Sequence, residues 1–492
     1  MKEIKNILIV GGGTAAYISA LILNQRFHKS VKIDIVKSNK IGIIGVGEGS
    51  TEHWEEFIKY TGIDYKEIIK ECDVTCKVGI MFQNWSDNDF LHSISDLNKF
   101  KFSQTFSGYL KLITDKCNLK ELNNPLYWEN KVQIDCIKNN FSPSRQYHFN
   151  TFKLNDFLNK KCLQRNINIY EDEINDIQIN SEGDIKNLTG ENKSYSYDFY
   201  IDCTGFKKLL ISKLGAKWNS YSKYLKLKEA IVFPTEDTEE YNIYTTAKAL
   251  DYGWMFSIPT YGRQGNGYIF DSTYINADKA KEEVEKLLDK KIEIVRHIKF
   301  DPGALDKVWI NNCVAIGLSA NFVEPLEASS IATSIQQAFL LNHYLPIYDK
   351  VQINEYNDII NSIMDNIKDF IFLHYLTNKN NTNFWKDIKT LDIPHTLKNN
   401  LDKWQLRLPI AEDFNVYKTK YILFNEENFI NILYGLNLLN IENLKKYFFS
   451  LNENYINLLN TDIVNFKKNE YSMFNQCIGH KEYLNFIRNS NE

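Results

Sequence analysis

Three groups of residues in this chain have types and spacing suited to chemistry. The first is Gly11-Gly12-Gly13-Thr14-Ala15-Ala16, a Gly-x-Gly-x-x-Ala spacing directly after the apolar run Ile7-Leu8-Ile9-Val10. Glycines at these places permit a tight turn and close backbone approach to a pyrophosphate. A helix that follows would aim amide donors and the positive end of its dipole at the same anion. An ordinary glycine-rich turn has the same composition; the place between a strand and a helix is what favours a dinucleotide. The second is Lys77, in CKVGIMFQNW. A lysine donates hydrogen bonds as an ammonium, and burial favours its neutral amine. Taken alone, Lys77 reads as a surface lysine on an edge strand. The third is Glu327, in EPLEAS, a carboxylate able to stabilise a cation or take a proton, or simply a charge at a helix N-terminus. Its neighbour Glu324 precedes Pro325, which suits a structural turn. Of eight cysteines only Cys72 and Cys76 lie close together, and no second pair completes a zinc site. Reduced, mostly buried thiols and no metal are expected.

Holding these groups in place takes a definite order of elements. Residues 7 to 10 read as a buried parallel strand, YISALILNQRF as a helix and VKIDIV, residues 31 to 36, as the next strand. This is a strand, glycine turn, helix, strand unit of the right length to bind a dinucleotide. The end of the second strand normally carries an acid for the ribose hydroxyls. Lys37 followed by Ser38 stands there instead, so either Ser38 and backbone hold the ribose or the cofactor binds weakly, as suits one that diffuses in and out. Short strand-like runs follow in DFYIDCTG, AIVFPT, GYIFDSTYI and CVAIGL. From about residue 330 the pattern turns helical, and INEYNDIINSIMDNIKDFIFLHYL spaces its apolar residues three and four apart. The expected division is a core over 1–345 with an interleaved substrate-side sheet, and a mainly helical region over 346–492. At 492 residues and 43% hydrophobic the chain can bury a large core, and 14% aromatics suit a pocket lined with rings. A net charge of −4 without a basic stripe excludes a nucleic-acid footprint. With no long apolar window and no signal core at the N-terminus, a soluble cytoplasmic protein is expected, with no membrane partner.

Two later turns favour a flavin over NAD. Asp202-Cys203-Thr204-Gly205 closes one strand, and Ala315-Ile316-Gly317-Leu318-Ser319 closes another just before a helix. Flavoproteins of the hydroxylase type set a late strand, glycine, helix turn of this kind against the flavin. No second Gly-x-Gly-x-x-Gly unit is present to bind NAD(P)H, so reduced flavin is expected from a separate reductase.

NILIVGGGTAAY, IIGVGEGST, CKVGIMFQNW, YHFNTFKLNDFL, FYIDCTGF, GWMFSIPTYGRQGNGYIF, WINNCVAIGLSANFVEPLEASSI and DFIFLHYLTNKNNTNFW together resemble the flavin-dependent halogenases of the tryptophan-halogenase type, from residue 6 to about 385. The resemblance implies an α/β fold in which a Rossmann-like, hydroxylase-type FAD box carries a C-terminal helical pyramid over an aromatic substrate. It implies that reduced FAD, oxygen and halide yield hypohalous acid, which is led through the interior to a lysine matching Lys77. It makes Glu327 the carboxylate that stabilises the cationic ring and takes its proton. It places Gly11, Gly13, Thr14, Ala15, Ala16, Lys37, Ser38, Gly47, Glu48, Ile174, Gly317, Leu318 and Ile331 at the FAD, Ser329 and Ser330 at the halide, and His92, Ile94, Trp254 and Phe256 at the substrate. The partners it implies are a small aromatic and a flavin reductase; a homo-oligomer stays open.

The departures from that family are local. Its segment Phe-x-x-Pro-x-x-Ser-x-Gly reads Phe322-x-x-Pro325-x-x-Ala328-x-Ser330, which points to bromide or iodide in preference to chloride. Its Trp-x-Trp-x-Ile-Pro motif, held to prevent monooxygenase activity, reads Trp254-Met255-Phe256-Ser257-Ile258-Pro259. Ile94 replaces an aromatic clamp, and DFNVYKTKYILFNEENF lacks the usual tyrosine-rich stretch for the amino-acid part of tryptophan. An indole, pyrrole or phenol is therefore the expected substrate. The alternatives are a flavin-dependent aromatic monooxygenase, and a non-catalytic flavin-fold binding protein suggested by Lys37.

Overall fold

The computed structural model describes residues 2–42, 48–93, 106–115 and 125–490. Gly47 and Ile94 lie outside them. The chain divides into two compact units, each drawn from three segments. Met1–Asp73, Phe149–Ser222 and Asp301–Asp365 form the first, and Val74–His148, Lys223–Phe300 and Asn366–Glu492 the second. Residue 345, where the sequence suggested a boundary, falls inside the first unit.

The first unit is built on a six-stranded sheet in the order Asn168–Glu171, Lys32–Lys37, Asn6–Val10, Phe199–Asp202, Cys313–Ala315, Trp309–Ile310. Its pairs are parallel except the last. Parallel sheets are covered on both faces, so their strands read as unbroken apolar runs; Ile7, Leu8 and Ile9, like Phe199, Tyr200 and Ile201, are fully buried. The crossover from the first strand to its neighbour is the helix Thr14–Phe27. It packs against both Thr151–Gln164 and Ser329–Tyr344, which is why it is buried all round from Ala16 to Leu23 and has no single apolar stripe. This is the Rossmann-like arrangement that the glycine spacing requires.

The second unit is built on a seven-stranded sheet in the order Arg296–Lys299, Glu229–Thr235, Arg263–Phe270, Gly253–Thr260, Thr245–Leu250, Gly79–Gln83, Phe90–Ser93. All its pairs are antiparallel but for Thr245–Leu250 with Gly79–Gln83. Side chains alternate across it. One face carries Ile231, Phe233, Met255, Tyr268 and Phe270, which pack with Ala280 and Val284 of the helix Ala277–Leu288. Register places Trp254, Phe256, Ala247, Thr245, Ile80 and His92 on the other. Rings from the C-terminal helices cover that second face. Phe370 meets His92 edge-on at 5.5 Å, and His374 lies 5.0 Å from Phe82. Behind them Phe370 stacks on Phe424 at 4.1 Å and packs on Phe429 at 4.9 Å. From Lys350 to Asn489 the described chain is mainly helical, and no described helix is long and apolar enough to cross a membrane.

Candidate functional site

In the first unit, two turns and a helix converge on the glycine loop and the helix that follows it. Gly11 takes φ +136°, and a Cβ there would lie 2.2 Å from the Cys203 carbonyl oxygen. The loop therefore rests on the turn that ends the Phe199–Asp202 strand. Asp202, fully buried, shapes that turn. Its carboxylate accepts from the amides of Thr204, Leu210 and Ile211 and from the hydroxyls of Thr204 and Ser319, at 2.7 to 3.2 Å. Five donors replace the water that a buried carboxylate gives up. Gly317, at φ +71°, leaves room for a Cβ only 2.7 Å from that of Ala15 and 3.1 Å from Ser334 Oγ. The first helix, the late turn and the helix Ser329–Tyr344 thus meet at one point. Asn155 Nδ2 donates to the Gly12 carbonyl at 2.8 Å and holds the loop from a fourth side.

These residues fit a flavin dinucleotide. Gly13 caps the helix Thr14–Phe27 without any side-chain cap bond, and a Cβ on it would meet nothing within 4 Å. The uncapped first turn and its positive dipole end form a cradle for a pyrophosphate. Lys37 and Ser38 stand half-buried at the end of the second strand. A Cβ on Gly12 would meet Lys37 Cβ at 2.8 Å, so the lysine stem runs along the loop and brings an ammonium where an acid is usual. Glu48 is half-buried, with its carboxyl pushed up to about 7 by burial. Ile174 is half-buried at the start of the strand Ile174–Ile179, Leu318 half-buried and Ile331 buried.

Also in this unit, Pro325–Glu327 forms a 3-10 turn that buries both Glu324 and Glu327. Sequence reasoning separated the two by role; burial does not. Ala328 takes a left-handed φ of +53° and starts the helix Ser329–Tyr344 without a side-chain cap bond. Ser329 is buried and Ser330 exposed. An uncapped turn at the N-terminus of a 16-residue helix is suited to a small anion.

In the second unit, Lys77 ends the strand Thr75–Lys77, which pairs antiparallel with Gln146–Phe149. Lys77 is fully buried, so it is no surface lysine. The register sets Thr75 opposite His148 and Lys77 opposite Gln146. With a period of two, all four share one face, and all four are fully buried. Thr75 Oγ1 donates to the Pro259 carbonyl at 2.7 Å and lies 2.8 Å from His148 Nδ1. A hydroxyl has one proton, here given to Pro259, so His148 Nδ1 carries the hydrogen and donates to Thr75. Nε2 then accepts from Thr245 Oγ1 at 2.9 Å. Burial first, then the charge of Lys77, hold the His148 pKa well below the usual range, and the imidazole is neutral. On the strand's other side the Cys76 amide donates to His480 Nε2 at 3.0 Å, and burial brings that histidine down to about 4.

The other residues expected at a substrate share the covered face of the seven-stranded sheet. His92 is fully buried. Asn428 Nδ2 donates to its Nε2 at 3.1 Å, and the Asn425 amide bonds Asn428 Oδ1 at 2.8 Å and so orients the side chain. Trp254 and Phe256 lie with ring centres 6.2 Å apart. The Phe256 ring covers Gly267, where a Cβ would come within 2.4 Å of it. Sequence reasoning missed His148, Thr75, Thr245, His480 and Asn428. His148 lay inside the quoted YHFNTFKLNDFL, but only the strand register puts it beside Lys77. Asn428 belongs to DFNVYKTKYILFNEENF, the segment in which no substrate motif was legible. Among the described residues, no group of three or more His, Cys, Asp or Glu is placed to hold a metal.

Comparison with known proteins identifies the family and the fold. The family description tryptophan halogenase matches residues 6–446. A tryptophan 6-halogenase of Streptomyces toxytricini is 28% identical over 448 residues, 84% of this chain and 86% of that protein. The crystal structure of a tryptophan halogenase from Shewanella frigidimarina superposes with a TM-score of 0.90 at 26% identity, covering 99% of this chain and 98% of that one. A tryptophan C-6 flavin-dependent halogenase of taromycin biosynthesis gives 0.88 at 26% identity, covering 98% and 100%. With a Rossmann-like glycine cradle and a buried lysine on its own strand pair, this chain belongs to the tryptophan halogenase family.

Proposed function

We propose that this chain uses reduced FAD, oxygen and halide to halogenate an electron-rich aromatic other than free tryptophan: an indole, a pyrrole or a phenol. Reduced flavin, brought by a separate reductase, would supply the electrons with which oxygen turns halide into hypohalous acid and water. Hypohalous acid is small, neutral and indiscriminate, so a protein that uses it must receive it away from water. The full burial of Lys77, on a face shared with a neutral histidine, carries this reading. Lys77 Nζ donates to the oxidant or, as a neutral amine, takes the halogen from it, an N–halogen bond forming as the oxygen–halogen bond breaks and water leaves. Glu327 stabilises the cationic ring and removes its proton. The turn at Ser329 and Ser330 holds the halide, and the replacements at Ala328 and Ser330 favour bromide or iodide. His92, Trp254 and Phe256 bound the aromatic, and the helices of 346–492 cover it. A pocket in which Asn428 meets His92, without a tyrosine-rich stretch, is a poor match to a zwitterionic amino acid.

The test is Lys77→Ala, assayed with a flavin reductase, FAD, NADH and halide. Halogenated product should disappear while flavin oxidation continues at the wild-type rate; full-rate halogenation by the variant sinks the reading. A second reading, aromatic hydroxylation, is favoured by Phe256 in place of a tryptophan. Product masses with and without halide separate the two.

A further inference from the structure

Beside Lys77, both nitrogens of the buried His148 imidazole are committed to threonines on other strands. His148 is bonded in a one-way series. Thr245 donates to Nε2, Nδ1–H donates to Thr75, and Thr75 donates to the Pro259 carbonyl. All three side chains are buried, so no solvent competes for these bonds. The partners lie on three different strands. Thr75 is two residues before Lys77 and on its face. Thr245 is on the sheet face of Phe256 and in register with Ile80, which is in turn opposite His92. Pro259 belongs to the strand of Trp254 and Phe256. The imidazole therefore fastens the lysine strand to Thr245–Leu250, and the Thr75 hydroxyl fastens it to Gly253–Thr260, two of the strands that carry the substrate face.

Any buried imidazole needs partners for both nitrogens, as His480 has; what sets His148 apart is that its partners tie the lysine strand to the strand Thr245–Leu250 of the substrate-side sheet. We propose that His148 is a positioning residue for Lys77: bridging Thr75 and Thr245, it sets the lysine strand at a fixed height over the substrate face. This rests on the assignment of Lys77 as the group that receives the oxidant. An oxidant held a fraction of an ångström out of place is released, because productive transfer needs near-contact geometry. The expected defect is thus leakage of hypohalous acid, with its formation unchanged.

The experiment compares Thr245→Val, which keeps the shape and removes the donor, with Thr245→Ser, which keeps the hydroxyl, and with Lys77→Ala. Flavin oxidation, halogenated aromatic and hypohalous acid caught by a thioether trap are measured together. Thr245→Val should lose roughly tenfold in halogenation, the order expected for one buried hydrogen bond. Its flavin oxidation should stay within about twofold of wild type and the trapped oxidant should rise correspondingly. Thr245→Ser should recover most of the coupling. His148→Gln, whose carbonyl can accept from Thr245 but cannot donate to Thr75 at the same place, should also leak. Selective 15N-histidine labelling gives a readout free of turnover: His148 should show a protonated Nδ1 and bare Nε2, as His92 and His480 also do by their partners, and of these three signals only that of His148 should shift in Thr245→Val. The proposal falls if Thr245→Val and His148→Gln both halogenate at the wild-type rate. It falls equally if halogenation and flavin oxidation drop in parallel, as a structural role would require. If Lys77→Ala itself still halogenates, the assignment of Lys77 fails first. If Lys77→Ala is inactive and the His148 and Thr245 variants are silent, only the positioning role fails.

Discussion

Lys77 and Glu327, residue types common at surfaces, are both fully buried, and the chemistry proposed for them can be tested residue by residue. A buried carboxylate that takes a ring proton contributes about 10²-fold or more to rate. Glu327→Gln keeps the shape and removes the proposed base, so halogenation should fall by about 10² with flavin oxidation unchanged. Single-turnover assays with limiting reduced FAD check it. Lys37 gives a second residue-scale expectation. Lys37→Glu would place an acid at the ribose position, and its flavin affinity, read by fluorescence quenching, should change while Lys77-dependent coupling per bound flavin stays the same. The buried histidines give a third. His480, with a folded pKa of about 4, and His148, held well below the usual range, are neutral in the fold and titrate normally when unfolded. The unfolded chain therefore binds more protons below pH 6.5, and stability drops as the pH falls toward the folded values. His480 alone should cost about 2 kcal/mol between pH 7 and pH 5, visible as a lower unfolding midpoint at pH 5.

At the scale of elements, glycines mark where backbone meets backbone or ring. Gly317→Ala would put a methyl group 2.7 Å from Ala15 Cβ in a left-handed conformation. A loss of roughly 3 kcal/mol is expected, with weaker FAD binding, because the same contact shapes the cradle. Thermal unfolding and flavin titration measure the two effects. The elements themselves were largely legible. Ile7–Val10 and the helix after Thr14 follow from an apolar run and a glycine spacing, and Lys350–His374 from its three-and-four periodicity. GYIFDSTYI was legible only in part: the strand runs Arg263–Phe270 and stops before the polar Asp271-Ser272-Thr273. Lys77 was the reverse case. Three residues of strand, Thr75–Lys77, are too short for alternation to say which face is inside, so the sequence alone allowed an edge lysine.

At the scale of the whole molecule, each unit collects residues from distant parts of the chain. His148 and Asn428, 280 positions apart in the numbering, both serve the second unit. If the proposed substrate class holds, the ring-covered face that holds His92 should discriminate among aromatics by shape. In a panel at equal concentration, indoles and phenols should be halogenated faster than free tryptophan, and mass spectrometry of the mixture checks it. With chloride, bromide and iodide present together, brominated or iodinated product should dominate; a chlorinated majority would overturn the halide assignment.

What the sequence determined by itself was whatever depends on neighbours along the chain. That covers the glycine turn after a buried strand, the late Gly317 turn, the helical end of the chain and the motifs that carry the family. Tertiary structure decided what depends on strand register, packing between elements and burial. Register brought His148 beside Lys77 and set Thr245 and Phe256 on one face, and packing of the helix Glu426–Gly435 on the strand Phe90–Ser93 brought Asn428 to His92. Burial made Lys77 and Glu327 interior groups and kept His148 and His480 neutral. Register and burial come from pairings between residues far apart in the chain, and no local spacing encodes them.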